Sequence, residues 1–520
     1  MRAHLLLSNW DGFVSVMADR IDLVRRSLED TTQREFNRRV DEQATRLTDA
    51  VRAGRLDNPS FGLGIELEAY AVDDTGRLTR VPDAVLEGPC EKELGRHNVE
   101  FNTSPNRFDG DEATVQAAQL RRRYRRVQQA AEQADTEIVL DAMWTIPPRE
   151  GTQAYLSDVR ERDGVTIAEN MTPSARYWAI DNDVLGQTEG AITLSVPGAE
   201  REFPSILFES LASSIQPHVQ VPDVEAFPRY YNTAIRTLGP VLAVATNAPL
   251  LPPDLYDIED PYRVLEETDH ELRIPVFEQS INQAWEKVCF PAEIQRTAET
   301  IDTLVADPTC APFLREWLAD GDRETLTDRF WELNHKRGTY WRWLRAVIGG
   351  QPVGQGDHWS IRIEYRPLPT QPTIAENIGF QWLVAGLVRG LCAADHPLVS
   401  LEHDAAKRSF YSAVKNGLDA DLVWVTADGD RTTDRAVLYE ELFAFARRGL
   451  RMQGIATESI EEYLAPLEAR WTARTTPSRW KLDRVREQLD AGMPFDDAVH
   501  EMQTEYIRQA RTGEPITQWP

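Results

Sequence analysis

The chain has 520 residues, of which 42% are hydrophobic and 14 are Trp, enough for an ordered core in one large domain with additions or in two to three domains. Its 84 Asp and Glu against 57 Lys and Arg leave a net charge of -27, which argues against nucleic acid or an anionic membrane as the main partner. No apolar run is long enough to cross a bilayer, and Leu5–Leu7 is too short a cluster for a signal-peptide core, so the expected location is the cytoplasm.

The acid excess suits solubility, and self-repulsion of this kind is screened in a salty, halophile-like cytoplasm. An anionic ligand would then need local cations. Cys90, Cys289, Cys310 and Cys392 show neither a CxxC pair nor zinc spacing, so reduced thiols are expected.

In chain order, residues 11–56 read as helical, with Val14, Met17, Ile21, Val24 and Leu28 at helical spacing. Residues 112–135 read as a second helix. Its Arg121–Arg126 run is either an anion patch or, as the better reading, a solvated face paired with acids. Strand-like segments fall at 61–72, 98–103, 137–141, 191–196, 216–222 and 359–367. Helical stretches fall near 225–246, 283–305, 324–348 and 374–393. The Pro-, Asp- and Glu-rich segment 252–280 reads as a long loop or lid. From 435 onward the pattern is helical, with breaks expected at Pro466 and Pro477. Together these predict an α+β body with helical additions at both ends: an N-terminal segment 1–60, a catalytic domain 61–430 and a C-terminal extension 431–520.

Four of the strands share a pattern. In Leu63–Tyr70, Glu66 and Glu68 occupy one face and Leu63, Ile65 and Leu67 the other. Glu100 and Asn102 share a polar face, as do His218 and Gln220, and as do Arg362, Glu364 and Arg366. A wet sheet face accounts for any one strand. Together they carry hard-metal ligands, an imidazole and two guanidiniums rather than the usual Lys, Thr and Ser. If the strands are neighbours, the carboxylates repel unless protonated or bridged by cations. Magnesium fits, because it takes oxygen ligands and keeps waters that phosphates replace. The arginines would grip phosphate oxygens. Carboxylates, a divalent metal and arginine describe a phosphoryl-transfer site. The sequence holds no Walker loop, Rossmann fingerprint or Gly-x-Ser-x-Gly elbow, so ATP would bind by this open-sheet route.

These residues resemble a known family. Gly64-Ile65-Glu66-Leu67-Glu68 is similar to the first catalytic strand of the glutamate–cysteine ligase/carboxylate–amine ligase family, within the glutamine synthetase-like superfamily. Asn98–Asn102, His218–Val221, Leu238–Leu250, Arg362–Arg366, Ala385–Leu391 and Lys415–Ala420 resemble its later segments, in the family's order. Gln220 stands where the family's second histidine falls, and Pro369 where many members carry Asp. The resemblance implies an antiparallel sheet as the active-site cradle. It implies that Glu66, Glu68, Glu100 and Glu364 hold magnesium, with His218 or Gln220 assisting at metal or phosphate. It assigns Arg362 and Arg366 to phosphate or the amino-acid carboxylate, with Glu68 among the catalytic residues and Gln220 and Asn102 among the nucleotide contacts. The implied reaction joins glutamate to the amine of cysteine, or to another amine, through an acyl phosphate made with ATP and Mg2+. Partners are then small molecules, and the oligomeric state stays open. A glycoside hydrolase fits poorly, since acids at i and i+2 on one strand sit too close to flank a sugar bond. A non-catalytic binding protein of the same fold fits poorly with an intact acid and arginine set.

Some residues admit two readings. His97 is an exposed loop residue or a substrate contact. Asn334–Gly338 is a helix C-terminal cap with favourable cations or a phosphate clamp. Arg273 is a solvated loop residue or a contact to a substrate carboxylate. Trp341–Trp343 is core or an adenine wall.

Overall fold

A computed structural model describes residues 17–88, 90–318, 326–349 and 359–520. Val14 and the rest of the first sixteen residues lie outside them. At the centre is an antiparallel sheet of eight strands. In chain order they are β1 Gly62–Val72, β2 Glu91–Lys92, β3 Asn98–Asn102, β4 Asn106–Arg107, β5 Glu137–Val139, β6 Ile215–Gln220, β7 Leu344–Ile348 and β8 Ile361–Tyr365. They lie in the order β7-β8-β6-β1-β3-β2, and β4 and β5 also pair with β1. The fold is α+β with an antiparallel cradle, as expected.

Alternation on the strands decides which face does what. Leu63, Ile65, Leu67, Val99, Phe101, Val219, Ile363 and Tyr365 are all buried on one side. Burying each such side chain contributes about 1.5–3 kcal/mol. They pack under helices Phe227–Ala245 and Ile374–Ala393. Gln381 on the second of these donates to the carbonyl of Gly64 at 3.0 Å. That helix begins where Thr373 accepts from the amide of Glu376 at 3.2 Å and donates to its carboxylate at 3.0 Å, closing the N-terminus from both sides.

The N-terminal helical region is two helices, Met17–Ser27 and Asp30–Arg52. The second packs on Trp331–Arg337, and its Gln43 donates to Glu332 at 2.5 Å. The C-terminal helices, Arg435–Met452, Thr457–Thr472, Pro477–Asp490 and Phe495–Ala510, are built into the body. A Cβ on Gly449 would meet the carbonyl oxygen of Gly386 at 1.9 Å, so only glycine permits this helix crossing. Arg470 donates to Glu376 at 2.7 Å, and Lys481 to Asp141 at 2.6 Å, all four buried. Asp419 is held by Arg474 and Arg479.

Several expectations need correction. Segment 252–280 is not a lid loop: it holds helices Pro261–Glu267 and Arg273–Ile281. Asp260 and Pro261 start the first, the Asp260 side chain accepting from Tyr262. Of 283–305 only Glu299–Ala306 lies in a helix. Asn282 accepts from the amides of Lys287 and Val288, which turns the chain, and Pro291 blocks continuation. The described part of 324–348 is two short helices followed by strand β7, because Gly338 ends the helix ahead of a β-favouring run. Pro466 lies inside a helix rather than breaking one, with Tyr463, Leu464 and Leu467 buried around it to offset a cost of about 3 kcal/mol. Pro477 opens a helix. Among the described residues no helix is long and apolar enough to cross a membrane.

Candidate active site

The polar face of the sheet floors a cavity of about 490 Å³. Its first cluster forms where β1, β6 and β8 run side by side. Gly64 pairs with His218 and His218 with Glu364, while Glu66 lies one step along β1. Gly64 leaves open the floor beside the imidazole, since a Cβ there would lie 3.4 Å from that of His218. His218 Nε2 is then 3.4 Å from Glu66 Oε1. Glu66, His218 and Glu364 each offer a ligand atom within 4.8 Å of the others. His218 Nε2 is buried without a hydrogen-bond partner, so the group fits a divalent cation.

Arginines surround this trio. Arg345 on β7 donates to both oxygens of Glu364, at 2.5 and 2.9 Å, and Arg366 donates to it at 2.6 Å. Burial opposes ionisation of Glu364, but Arg345 and Arg366 hold its carboxyl well below the usual range. Arg362 donates from Nε to His218 Nδ1 at 2.9 Å and to the carbonyl of Gly349 at 3.0 Å. In that arrangement the neutral ring carries its proton on Nε2, facing Glu66. Ligation of a cation by Nε2 therefore requires Arg362 to release Nδ1.

A second, acidic cluster lies toward β3 and β2. Glu68 pairs across with Glu100, and Glu100 with Glu91, with Glu93 close by. Burial raises Glu68, Glu91 and Glu100 above the usual carboxylate range, and burial with the charge of Glu68 pushes Glu93 up to about 8. Such a cluster holds protons or cations. Glu68 also accepts from the amide of Ser214 at 2.7 Å.

The sequence-derived set thus divides. Glu66, Glu68, Glu100, His218, Glu364, Arg362 and Arg366 all line the cavity. Gln220 and Asn102 do not. Gln220 donates to the carbonyl of Ser60 at 3.1 Å, and Asn102 donates to Glu91 at 2.9 Å, supporting the acidic cluster from the side. Arg273 is fully buried at the cavity wall, donating to Glu271 and to the carbonyl of Pro367, both at 3.1 Å. His97 is buried, not exposed: it bonds Tyr155 at 2.8 Å and the Ser210 carbonyl at 3.0 Å, and burial lowers it to about 4. Trp341 and Trp343 line the cavity.

Sequence reasoning missed Arg345, Gln216, Glu91 and Glu93, whereas Arg337, which ends a helix capped by Gly338 and lines the cavity, falls within the Asn334–Gly338 run read as a helix cap or a phosphate clamp. Gln216 accepts from Arg366 at 2.6 Å, and it continues the His218, Gln220 alternation by one step, a signal interrupted by Pro217. The signal for Arg345 was Gly338, beyond which a helix was the wrong expectation.

The class that this fold and site define is that of the ATP-dependent carboxylate–amine ligases. Residues 62–513 match the family model described as Glutamate-cysteine ligase family 2, and the chain belongs to that family. Among solved structures it is similar to a glutamate–cysteine ligase from Francisella tularensis in complex with AMP, at 14% identity and a TM-score of 0.50 over 88% of this chain and 90% of that one. It is also similar to a bifunctional glutathione synthetase from Pasteurella multocida (13% identity, TM-score 0.45, 91% of this chain and 53% of that one). A third is the ligase PafA in complex with the prokaryotic ubiquitin-like protein Pup (9% identity, TM-score 0.37, 85% and 71%). At these identities the likeness is one of fold. No curated protein matches the chain.

Proposed function

We propose that the protein joins the side-chain carboxylate of glutamate to the amine of cysteine, using ATP and magnesium. The observation that carries this is one cavity in which Glu66, His218 and Glu364 converge within 4.8 Å, ringed by Arg345, Arg362 and Arg366. A carboxylate is a poor acyl donor, because its leaving group would be oxide. Transfer of the γ-phosphoryl group of ATP to it supplies a good leaving group, and the amine then displaces phosphate. Magnesium at Glu66 and Glu364, with Glu68 and Glu100 as further ligands, would neutralise phosphate charge.

The chain's own residues do the rest. Arg366 and Arg345 keep Glu364 ionised, so that it can hold a cation at neutral pH. Arg362 sets the tautomer of His218 and, once released, is free to meet a phosphate. These arginines are half-buried, so their hydrogen bonds to developing charge are stronger there than they would be in bulk water.

The test is ADP release with Mg2+ and ATP, with and without glutamate, cysteine and a panel of other amines, with the product identified by mass spectrometry. The expected result is turnover that needs both glutamate and cysteine and yields γ-glutamylcysteine. Turnover with a different amine and none with cysteine would overturn the acceptor. No turnover with any carboxylate would overturn the ligase reading.

A further inference from the structure

Most of the cavity's arginines are matched inside the protein. Arg345 and Arg366 are engaged with Glu364, Arg362 with His218 and the Gly349 carbonyl, and Arg273 with Glu271. Arg337 is different. It is the last residue of helix Trp331–Arg337 and lines the same cavity. Its two predecessors are engaged within the protein: His335 bonds the Ala311 carbonyl and Lys336 the Val305 carbonyl. Among the described residues the Arg337 guanidinium makes no hydrogen bond and no ion pair, and its Nε is buried without a partner. Burial, Arg362 and Arg345 together push its pKa down to about 9, against the opposing charges of Glu364 and Glu66. A guanidinium desolvated beside two others, with no carboxylate in contact, lowers the stability of the ligand-free fold. The helix C-terminus at which it sits offsets only a small part of that.

An unmatched charge facing a cavity is matched by what enters the cavity. We infer that Arg337 forms a ligand-oxyanion subsite, and that the oxyanion is a phosphate of the nucleotide. This assignment rests on the ligase reading above. A substrate carboxylate shares the chemistry, but two features favour phosphate. Arg337 stands with Arg345 and Arg362 around Glu66, His218 and Glu364, where a bound cation would draw phosphate oxygens. Several guanidiniums in one place match a polyphosphate better than a single carboxylate.

The experiment compares wild type, Arg337→Met and Arg337→Lys. It measures melting of the ligand-free protein, and calorimetric binding of magnesium tripolyphosphate, of magnesium with a non-hydrolysable ATP analogue, and of glutamate. The ligand-free Arg337→Met protein is expected to melt at or above the wild-type temperature, because an uncompensated charge is gone. Its affinity for both polyphosphates should fall by about tenfold or more, with glutamate affinity unchanged and Arg337→Lys between the two. A variant that melts well below wild type yet binds polyphosphate normally would make Arg337 structural and overturn the inference. Loss of glutamate affinity with normal polyphosphate binding would overturn the phosphate assignment in favour of a carboxylate. Wild type binding neither polyphosphate would overturn the subsite. If polyphosphate binding depends on Arg337 while no γ-glutamyl product forms, the subsite stands and the ligase reading falls.

Discussion

Arg345 grips Glu364 as a fork, Nε 2.5 Å from one carboxylate oxygen and Nη2 2.9 Å from the other. The glutamate side chain is 1% exposed, so its charge survives burial only because two guanidiniums face it. Arg345→Met leaves Arg366 as the single partner. Removing one partner of a buried pair costs about 3–5 kcal/mol, less here because Arg366 remains. The expected outcome is a lower melting temperature and loss of most magnesium-dependent turnover. Arg345→Lys should recover stability better than activity, since an ammonium keeps the charge but not the fork. Full activity in Arg345→Met would show that Glu364 does not need this support.

Arg362 and Arg366 stand four residues apart on one face, about 13 Å at 3.3 Å per residue along the backbone. Arg366 meets Glu364 and Gln216, whereas Arg362 meets His218. Arg366→Lys is expected to lower kcat about a hundredfold, and Arg362→Lys mainly to raise the KM of one substrate. If both variants melt early while their folded fraction keeps normal kcat and KM, the arginines only hold the sheet together.

Glu209 lines the cavity, and Ser280 donates to it. Burial, then the charges of Asp181 and Glu93, raise its carboxyl from 4.5 to about 8 against that hydrogen bond. Between those two values the unfolded chain has released the proton and the folded protein keeps it. The contribution to stability is therefore fully present at acid pH and declines by about 1.4 kcal/mol per pH unit up to about 8. Urea unfolding of wild type and Glu209→Gln at pH 5, 6.5 and 8 should show wild type losing ground to the variant as pH rises. A difference independent of pH would mean that Glu209 is already ionised in the folded state.

With a net charge of -27, the compact state repels itself when little salt is present. Melting temperature is expected to rise from dilute to molar KCl, as counterions screen the exposed acids. A flat or falling curve would assign the acidity to solubility alone.

Much of the cradle was legible in the chain because a strand repeats every two residues. Glu66 with Glu68, His218 with Gln220, and Arg362 with Glu364 declare a polar face by local alternation, and the apolar partners between them declare the core face. The long helix Ile374–Ala393 was equally plain, since its largely apolar run of helix length is a local feature. What only the tertiary structure decided is pairing. Strand order places Arg345 and His218 on either side of Glu364, from positions 19 and 146 residues away. It also leaves Gln220 at Ser60 and Asn102 beside Glu91, outside the cavity. The same holds for charge. The sequence shows an arginine at 337, 345 and 362 alike, but whether a guanidinium meets a carboxylate, a histidine or nothing depends on burial and on distances of a few ångströms. Alternation cannot encode those distances, because they arise from how distant segments pack.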